Sequence, residues 1–221
     1  MAPHPVSSED QRDTWAAFDF DGTLTRRDTL LPFLRQVLSL RRLAQALAWE
    51  SPWLAAYAAR LLRNDQAKER LLQRALAGKS REELLEQGKI FAKQGVPPLL
   101  RPQMIERLKW HQRLGHRCVL VTASLTLYTK PWADSVGFSY AIGSELAFDE
   151  SGNAIGTLIG GNCYGPEKKN RLRLLIPPKA NLYAYGDSRG DREMLAMANQ
   201  GWLINAKNGF GRDLPRMRGV F

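Results

Sequence analysis

Two hydrophobic rhythms alternate along this 221-residue chain. Thr14 to Phe20 is a short apolar run that ends in Asp21-Gly22-Thr23, the pattern of a buried strand delivering a loop. From about residue 30 to 114 the period becomes helical: Leu40, Leu43 and Leu47, then Trp53, Leu54, Tyr57 and Leu61, recur at spacings of three and four. Ser51-Pro52 reads as a fresh helix start, an N-cap with proline at the first position. Ser80 and Glu83 form a capping box ahead of Leu84-Leu85, and Gly95 with Pro97-Pro98 closes that helix. Trp49, Trp53 and Tyr57, at helical spacing, read as core.

Strands then return. Arg117-Cys118-Val119-Leu120-Val121-Thr122 is a continuous apolar run, as a central parallel strand requires. Ala141 to Ile159 holds two strand-like pieces around a hairpin turn at Asp149 to Asn153. Asn181 to Tyr185 leads into Gly186-Asp187, and Gly201 to Asn205 is a last short strand. Helices are expected near 125–136, 166–175 and 190–199. Such alternation indicates an α/β fold with a mostly parallel sheet. The helical block is then an insert after the first strand.

Charge adds to this picture through its placement. The net charge is +10, and residues 30–105 carry 13 Lys/Arg against 6 Asp/Glu, leaving 19 against 16 elsewhere. A basic patch suits an anionic small substrate, anionic lipid or nucleic acid, and it is equally an ordinary solvated helical surface. Cys118 and Cys163, with no CxxC, form neither a zinc site nor a disulfide framework, which fits a reducing compartment. Residues 1–10 lack the basic start and apolar stretch of a signal peptide, and no uncharged apolar run reaches spanning length. These features predict a cytoplasmic protein. His4, His111 and His116 suggest no role.

Three strand ends run straight into small polar or acidic residues: Asp19 to Thr23, Thr122-Ala123-Ser124, and Gly186-Asp187-Ser188-Arg189-Gly190-Asp191. In an open parallel sheet the strands' C-terminal ends share one edge, where ligands bind, so these loops can converge. Convergence would place Asp19, Asp21, Asp187 and Asp191 in one crevice, an arrangement that demands a cation. Oxygen ligands beside a phosphate suit Mg²⁺. One carboxylate can attack phosphorus while a second moves protons. Thr122 and the amides of Ala123 and Ser124 can hold phosphate oxygens, and Lys168 or Lys169 can supply positive charge. Each residue also has a plainer reading: Thr122 as a satisfied strand end, Ser124 as a helix N-cap, Lys168 as a solvated helix residue.

The ordered set resembles the haloacid dehalogenase-like hydrolases over nearly the whole chain. Asp19 to Thr23 matches Asp-x-Asp-x-Thr after a strand. Val119 to Thr122 matches the apolar strand ending in Thr or Ser, Lys168 the lysine opening a helix, and Gly186 to Asp191 the Gly-Asp-Ser-x-x-Asp motif. The placement of the insert, with Ile142 to Leu146 and Cys163-Tyr164-Gly165, is similar to the phosphoserine-phosphatase-like branch, subfamily IB. The resemblance implies a Rossmann-like core formed by residues 1–29 and 106–221 and an all-helical cap domain over 30–105. It also implies a Mg²⁺-dependent phosphomonoesterase. Asp19 would be the nucleophile and Asp21 the general acid/base. Asp187 would bind the metal with Asp19 and the Asp21 carbonyl, Asp191 would orient that site, and Thr122 and Lys168 would hold the phosphoryl group.

Substrate choice falls to the cap and the residues just after Thr23. Phosphoserine phosphatases carry a Glu nine residues after the nucleophile, where this chain has Asp28 behind Arg26-Arg27, a poor match for an ammonium group. Residues 35–63 carry five Arg and one Glu among Leu, Trp and Tyr, which is similar to phosphatidylglycerophosphate phosphatases of this branch. A lipid phosphate at the anionic inner face of the membrane is therefore the leading expectation. Soluble amino-acid or amino-alcohol phosphates are the rival substrates. A basic binding module on a retired core is the reading from another class, with nucleic acid disfavoured as partner.

Overall fold

The computed structural model describes residues 13–58 and 64–204, without the side chains of 52, 54–58, 64 and 65. Arg60, Leu61, Arg63 and Asn205, the N-terminal stretch with His4, and the side chains of Leu54 and Tyr57 lie outside what is described.

β1 (Thr14–Phe18) is buried along its whole length, as its uninterrupted apolar sequence demands. It lies between β2 (Arg117–Leu125) and β5 (Asn181–Gly186), parallel to both. The six-stranded sheet has the order β4-β3-β2-β1-β5-β6. β3 (Tyr140–Phe148) runs parallel to β2, and β6 (Gln200–Leu203) parallel to β5. The single antiparallel neighbour is β4 (Ala154–Ile159), joined to β3 by the expected hairpin.

Alternate residues of β1 feed two cores. Trp15 and Ala17 pack with Val119, Val121, Leu182 and Ala184 under α7 (Pro166–Leu175) and α8 (Arg192–Met197). Ala16 and Phe18 pack with Leu120 under α5 (Pro102–Arg113) and α6 (Thr126–Ser135). Cys118 and Cys163 are buried free thiols, and burial pushes Cys118 up to about 12, the state of an inert core residue.

Between β1 and α5 the described residues form α1 (Leu30–Val37), α2 (Leu40–Ala58), α3 (Asn64–Leu76) and α4 (Arg81–Ile90). The chain enters and leaves this segment side by side. Thr25 and Leu100 form an antiparallel bridge, and the Arg26 amide donates to Leu99 O at 2.8 Å. Phe33, Leu34, Leu71, Leu72, Leu76 and Leu84 join the same core as Phe18 and Leu120. Ser80 caps α4 as expected, accepting from the Glu83 amide at 3.1 Å.

Two details depart from the sequence reading. No helix starts at Ser51-Pro52, because α2 runs through it. Pro52 lacks the N–H that would reach Ala48 O, and the Ser51 hydroxyl donates to that carbonyl instead, at 2.8 Å. Trp49 and Trp53 are not core: they are 70% and 42% exposed. The face of α2 turned inward carries Leu43, Ala46 and Glu50. Arg74 and Arg70 lie over the two indoles, and the single carboxylate of Glu50 pairs with both arginines at 3.7 and 3.1 Å.

Candidate active site

β1, β2 and β5 are adjacent and parallel, so their C-terminal ends open onto one edge. Asp19 follows β1 directly, its amide donating to Tyr185 O at 2.9 Å. Asp21 and Gly22 then occupy the two central positions of a type II turn, with φ/ψ of −74/123 and 81/−20. That positive φ needs glycine. Space demands it as well, since a Cβ on Gly22 would lie 2.1 Å from Asp187 Oδ2.

Asp19, Asp187 and Asp191 each offer a carboxylate oxygen within 4.8 Å of the others. Lys168 enters from the first turn of α7, a position where the helix dipole disfavours a cation. It is buried and donates to Asp19 Oδ1 at 2.5 Å and to Asp191 Oδ1 at 2.6 Å. Lys169, the other candidate, is half-buried and lies outside this cluster. The second oxygen of Asp19 accepts from Thr23 Oγ1 at 3.0 Å. Asp191 Oδ2 accepts from the amides of Asp187 and Ser188 and from Ser188 Oγ, at 3.2, 3.0 and 2.9 Å. Asp191 therefore fixes the loop that carries Asp187.

The electrostatics follow from burial. Burial raises Asp19 to about 6, helped by the Asp191 charge and opposed by Lys168. Asp187 is raised to about 7, first by burial and then by the charges of Asp19 and Asp191. Burial works against the charge on Lys168, but Asp19 and Asp191 outweigh it and hold the ammonium above the ordinary lysine range. Three facing carboxylates against one ammonium leave an excess of negative charge, all of it on hard oxygen donors. This donor set fits a divalent hard cation.

Asp21 does not join that cluster through its side chain. Its Oδ1 accepts from the amide and hydroxyl of Thr29 at 2.9 and 2.7 Å, and its Oδ2 contacts Ser124 Oγ. Burial raises Asp21 to about 7, aided by the Asp28 charge and opposed by the bonds from Ser124 and Thr29. Ser124 is thus not the cap of α6, whose N-cap is Leu125. A register shift between Val121 and Leu125 frees Thr122 to Ser124 from the β2 ladder. Within that loop the Ser124 amide donates to Thr122 Oγ1 at 2.9 Å. Asp28 is exposed and its Oδ1 accepts from the Leu30 amide at 2.9 Å, closing the turn into α1.

Sequence reasoning missed Lys68, Thr29, Tyr128 and Asn162. Tyr128 OH bonds both Ser124 and Thr29 at 3.0 Å, so the carboxyl of Asp21 is held by a three-hydroxyl network. Lys68 left one trace in the sequence: it follows Ala67 on the stripe with Leu71, Leu72 and Ala75, where a lysine is out of place.

Comparison with known proteins agrees with this geometry. The family model for haloacid dehalogenase-like hydrolases matches residues 16–196. Protein CicA of Caulobacter vibrioides NA1000 is 36% identical over 185 residues, covering 83% of this chain and 82% of that protein. Among solved structures, a protein of unknown function from Bordetella pertussis Tohama I superposes with a TM-score of 0.79 at 24% identity, over 93% of this chain and 98% of that one. A probable phosphoserine phosphatase from Vibrio cholerae gives 0.68 at 16% identity, over 93% of this chain and 61% of that one. These structural likenesses speak for the fold.

Proposed function

The chain belongs to the haloacid dehalogenase-like hydrolases, and on that footing we propose that it is a Mg²⁺-dependent phosphomonoesterase working through an aspartyl-phosphate on Asp19. The observation that carries this reading is a buried carboxylate, Asp19, kept ionisable by Lys168 and facing Asp187 and Asp191 at the edge where three strands end.

In the first step a carboxylate oxygen of Asp19 bonds to phosphorus and the bond from phosphorus to the alcohol oxygen breaks. Asp21 gives its proton to that oxygen, and a carboxyl raised to about 7 is matched to the task near neutral pH. Asp21 then takes a proton from water, whose oxygen attacks phosphorus, releasing phosphate and restoring Asp19. Lys168 and Thr122, with the Ala123 amide and the Ser124 amide once it turns from Thr122 Oγ1, hold the phosphoryl oxygens. Asp19, Asp187 and the Asp21 carbonyl would hold the metal, with Asp191 positioning the loop. A bound Mg²⁺ supplies positive charge against the crowded carboxylates and the phosphoryl oxygens. The test is release of phosphate from a chromogenic phosphomonoester, abolished by EDTA and restored by Mg²⁺. No release with any phosphomonoester would favour a binding module on a retired core.

For the substrate, the helices over 30–105 act as a cap, and a lipid phosphate such as phosphatidylglycerophosphate is the preferred reading. Its support is the outer face of α2, where Trp49, Trp53 and Leu40 are exposed beside the exposed Arg41 and Arg42. Aromatic and basic side chains together suit an anionic bilayer surface. Among the described residues no helix is long and apolar enough to cross a membrane, so contact would be peripheral. Flotation with anionic but not neutral liposomes, lost as salt rises, is expected. Equal recovery with both would leave a soluble phosphomonoester, an amino-acid or amino-alcohol phosphate among them, as the substrate.

A further inference from the structure

Lys68 reaches from α3 into the crevice and donates to the carbonyl of Ala123 and to Asn162 Oδ1, the latter at 3.1 Å. The Asn162 oxygen is held toward it, because it also accepts from Ser144 Oγ at 2.8 Å, and Ser144 Oγ in turn accepts from the Cys163 amide at 3.0 Å. Both acceptors of Lys68 are neutral oxygens. A lysine carries three N–H donors, so hydrogen bonding to these two leaves both a donor and the charge for something else. Burial works against that charge, and the carboxylates of Asp21 and Asp28 support it without touching it. A group that served only to pin α3 to the β2 loop would not need to be ionic, because a neutral amide bonds a carbonyl at less desolvation cost.

Its neighbours say which part of a ligand it faces. Ala123 belongs to the loop assigned to the phosphoryl group, and Asp21 is the acid assigned to the leaving oxygen. Lys68 therefore stands on the cap side of the reacting bond, next to the alcohol that departs. Resting on the phosphatase reading above, we infer that Lys68 is a specificity-determining residue that selects phosphomonoesters whose leaving alcohol bears a second acidic group, a carboxylate or a phosphodiester. A neutral alcohol would leave the ammonium buried with no counter-charge in contact with it, and that penalty is what discriminates.

The test compares esters that differ in the acidic group: phosphoglycolate against ethyl phosphate, and short-chain phosphatidylglycerophosphate against glycerol 3-phosphate. Wild-type protein with Mg²⁺ should prefer the acidic member of at least one pair by about tenfold or more in kcat/KM. The pair that shows it tells a carboxylate from a phosphodiester. Lys68→Met should abolish that ratio, mainly through KM of the acidic ester, and Lys68→Arg should keep part of it. A purely structural lysine would slow both members alike and leave the ratio unchanged. That result, or a wild type that treats both members of both pairs equally, overturns the inference while leaving the phosphatase reading intact. Turnover of none of the four esters, nor of a chromogenic one, would instead remove the phosphatase reading beneath it.

Discussion

The ammonium of Lys168 lies 2.5 Å from Oδ1 of Asp19, and both groups are buried. Each depends on the other: burial raises the carboxyl to about 6 even with the lysine beside it. Removing one partner of such a pair leaves an uncompensated charge and costs about 3–5 kcal/mol. Lys168→Met should therefore lower the melting temperature of the metal-free protein and reduce turnover by about a hundredfold or more. Wild-type phosphate release from this variant would remove Lys168 from the site.

Asp19→Asn should abolish turnover and leave the fold intact, since Asp191 still pairs with Lys168 at 2.6 Å and the amide is nearly isosteric but cannot attack phosphorus. Asp21→Asn should be impaired in a way that depends on the leaving group. Loss should be large for an alkyl phosphate, whose oxygen must be protonated as it departs, and smaller for p-nitrophenyl phosphate, whose phenolate leaves unaided. Equal losses for the two esters would take the proton-donor role away from Asp21.

Much of this site was legible because its parts are local. Asp19 and Asp187 each follow an apolar strand directly, and parallel neighbours must deliver such residues to one edge. What escaped was tertiary. Ser124 carries the mark of a helix cap, yet its hydroxyl meets Asp21, 103 residues away in sequence. Periodicity locates a stripe on α2 without saying which stripe is inward. Trp49 and Trp53 keep helical spacing as faithfully as Leu43, Ala46 and Glu50, and only packing against α3 decides between them. Lys68 belongs to no motif, and its meaning comes from Ala123 and Asn162.

The closeness of Gly22 to Asp187 would make the proposed cation site sensitive to a single methyl group. Mg²⁺ should raise the melting temperature of the wild-type protein, because a ligand at about a hundred times its Kd adds about 2.7 kcal/mol. Asp187→Asn should lose most of that shift. Gly22→Ala should lose it too, since its Cβ would fall 2.1 Å from Asp187 Oδ2 at a backbone φ of 81°. An undiminished Mg²⁺ shift in both variants, followed by thermal melts with and without EDTA, would place the cation elsewhere.

His111 offers a pH signature outside the carboxylate cluster. It is fully buried, with Nε2 2.9 Å from Tyr185 OH and Nδ1 2.7 Å from His116 Nδ1. Burial depresses it to about 3 from an ordinary 6.5, with His116 and Arg107 adding to the effect. Between these values the unfolded chain binds a proton that the folded one refuses, so this group's contribution is present above pH 6.5 and lost as pH falls toward 3. At about 1.4 kcal/mol per pH unit the loss amounts to several kcal/mol. Asp19, Asp21 and Asp187 act with the opposite sign. Their raised values cost stability at neutral pH, and acid relieves that cost as pH falls through about 7 to 6 toward their ordinary 3.8. The net profile of the wild type mixes both, so the comparison must be with His111→Gln, which cannot titrate but can still bond Tyr185. In urea unfolding with EDTA present, the wild type should lose stability relative to this variant as pH drops from 7 to 4. A gap that stays constant over that range would mean that His111 gains its proton in the fold as readily as in the unfolded chain.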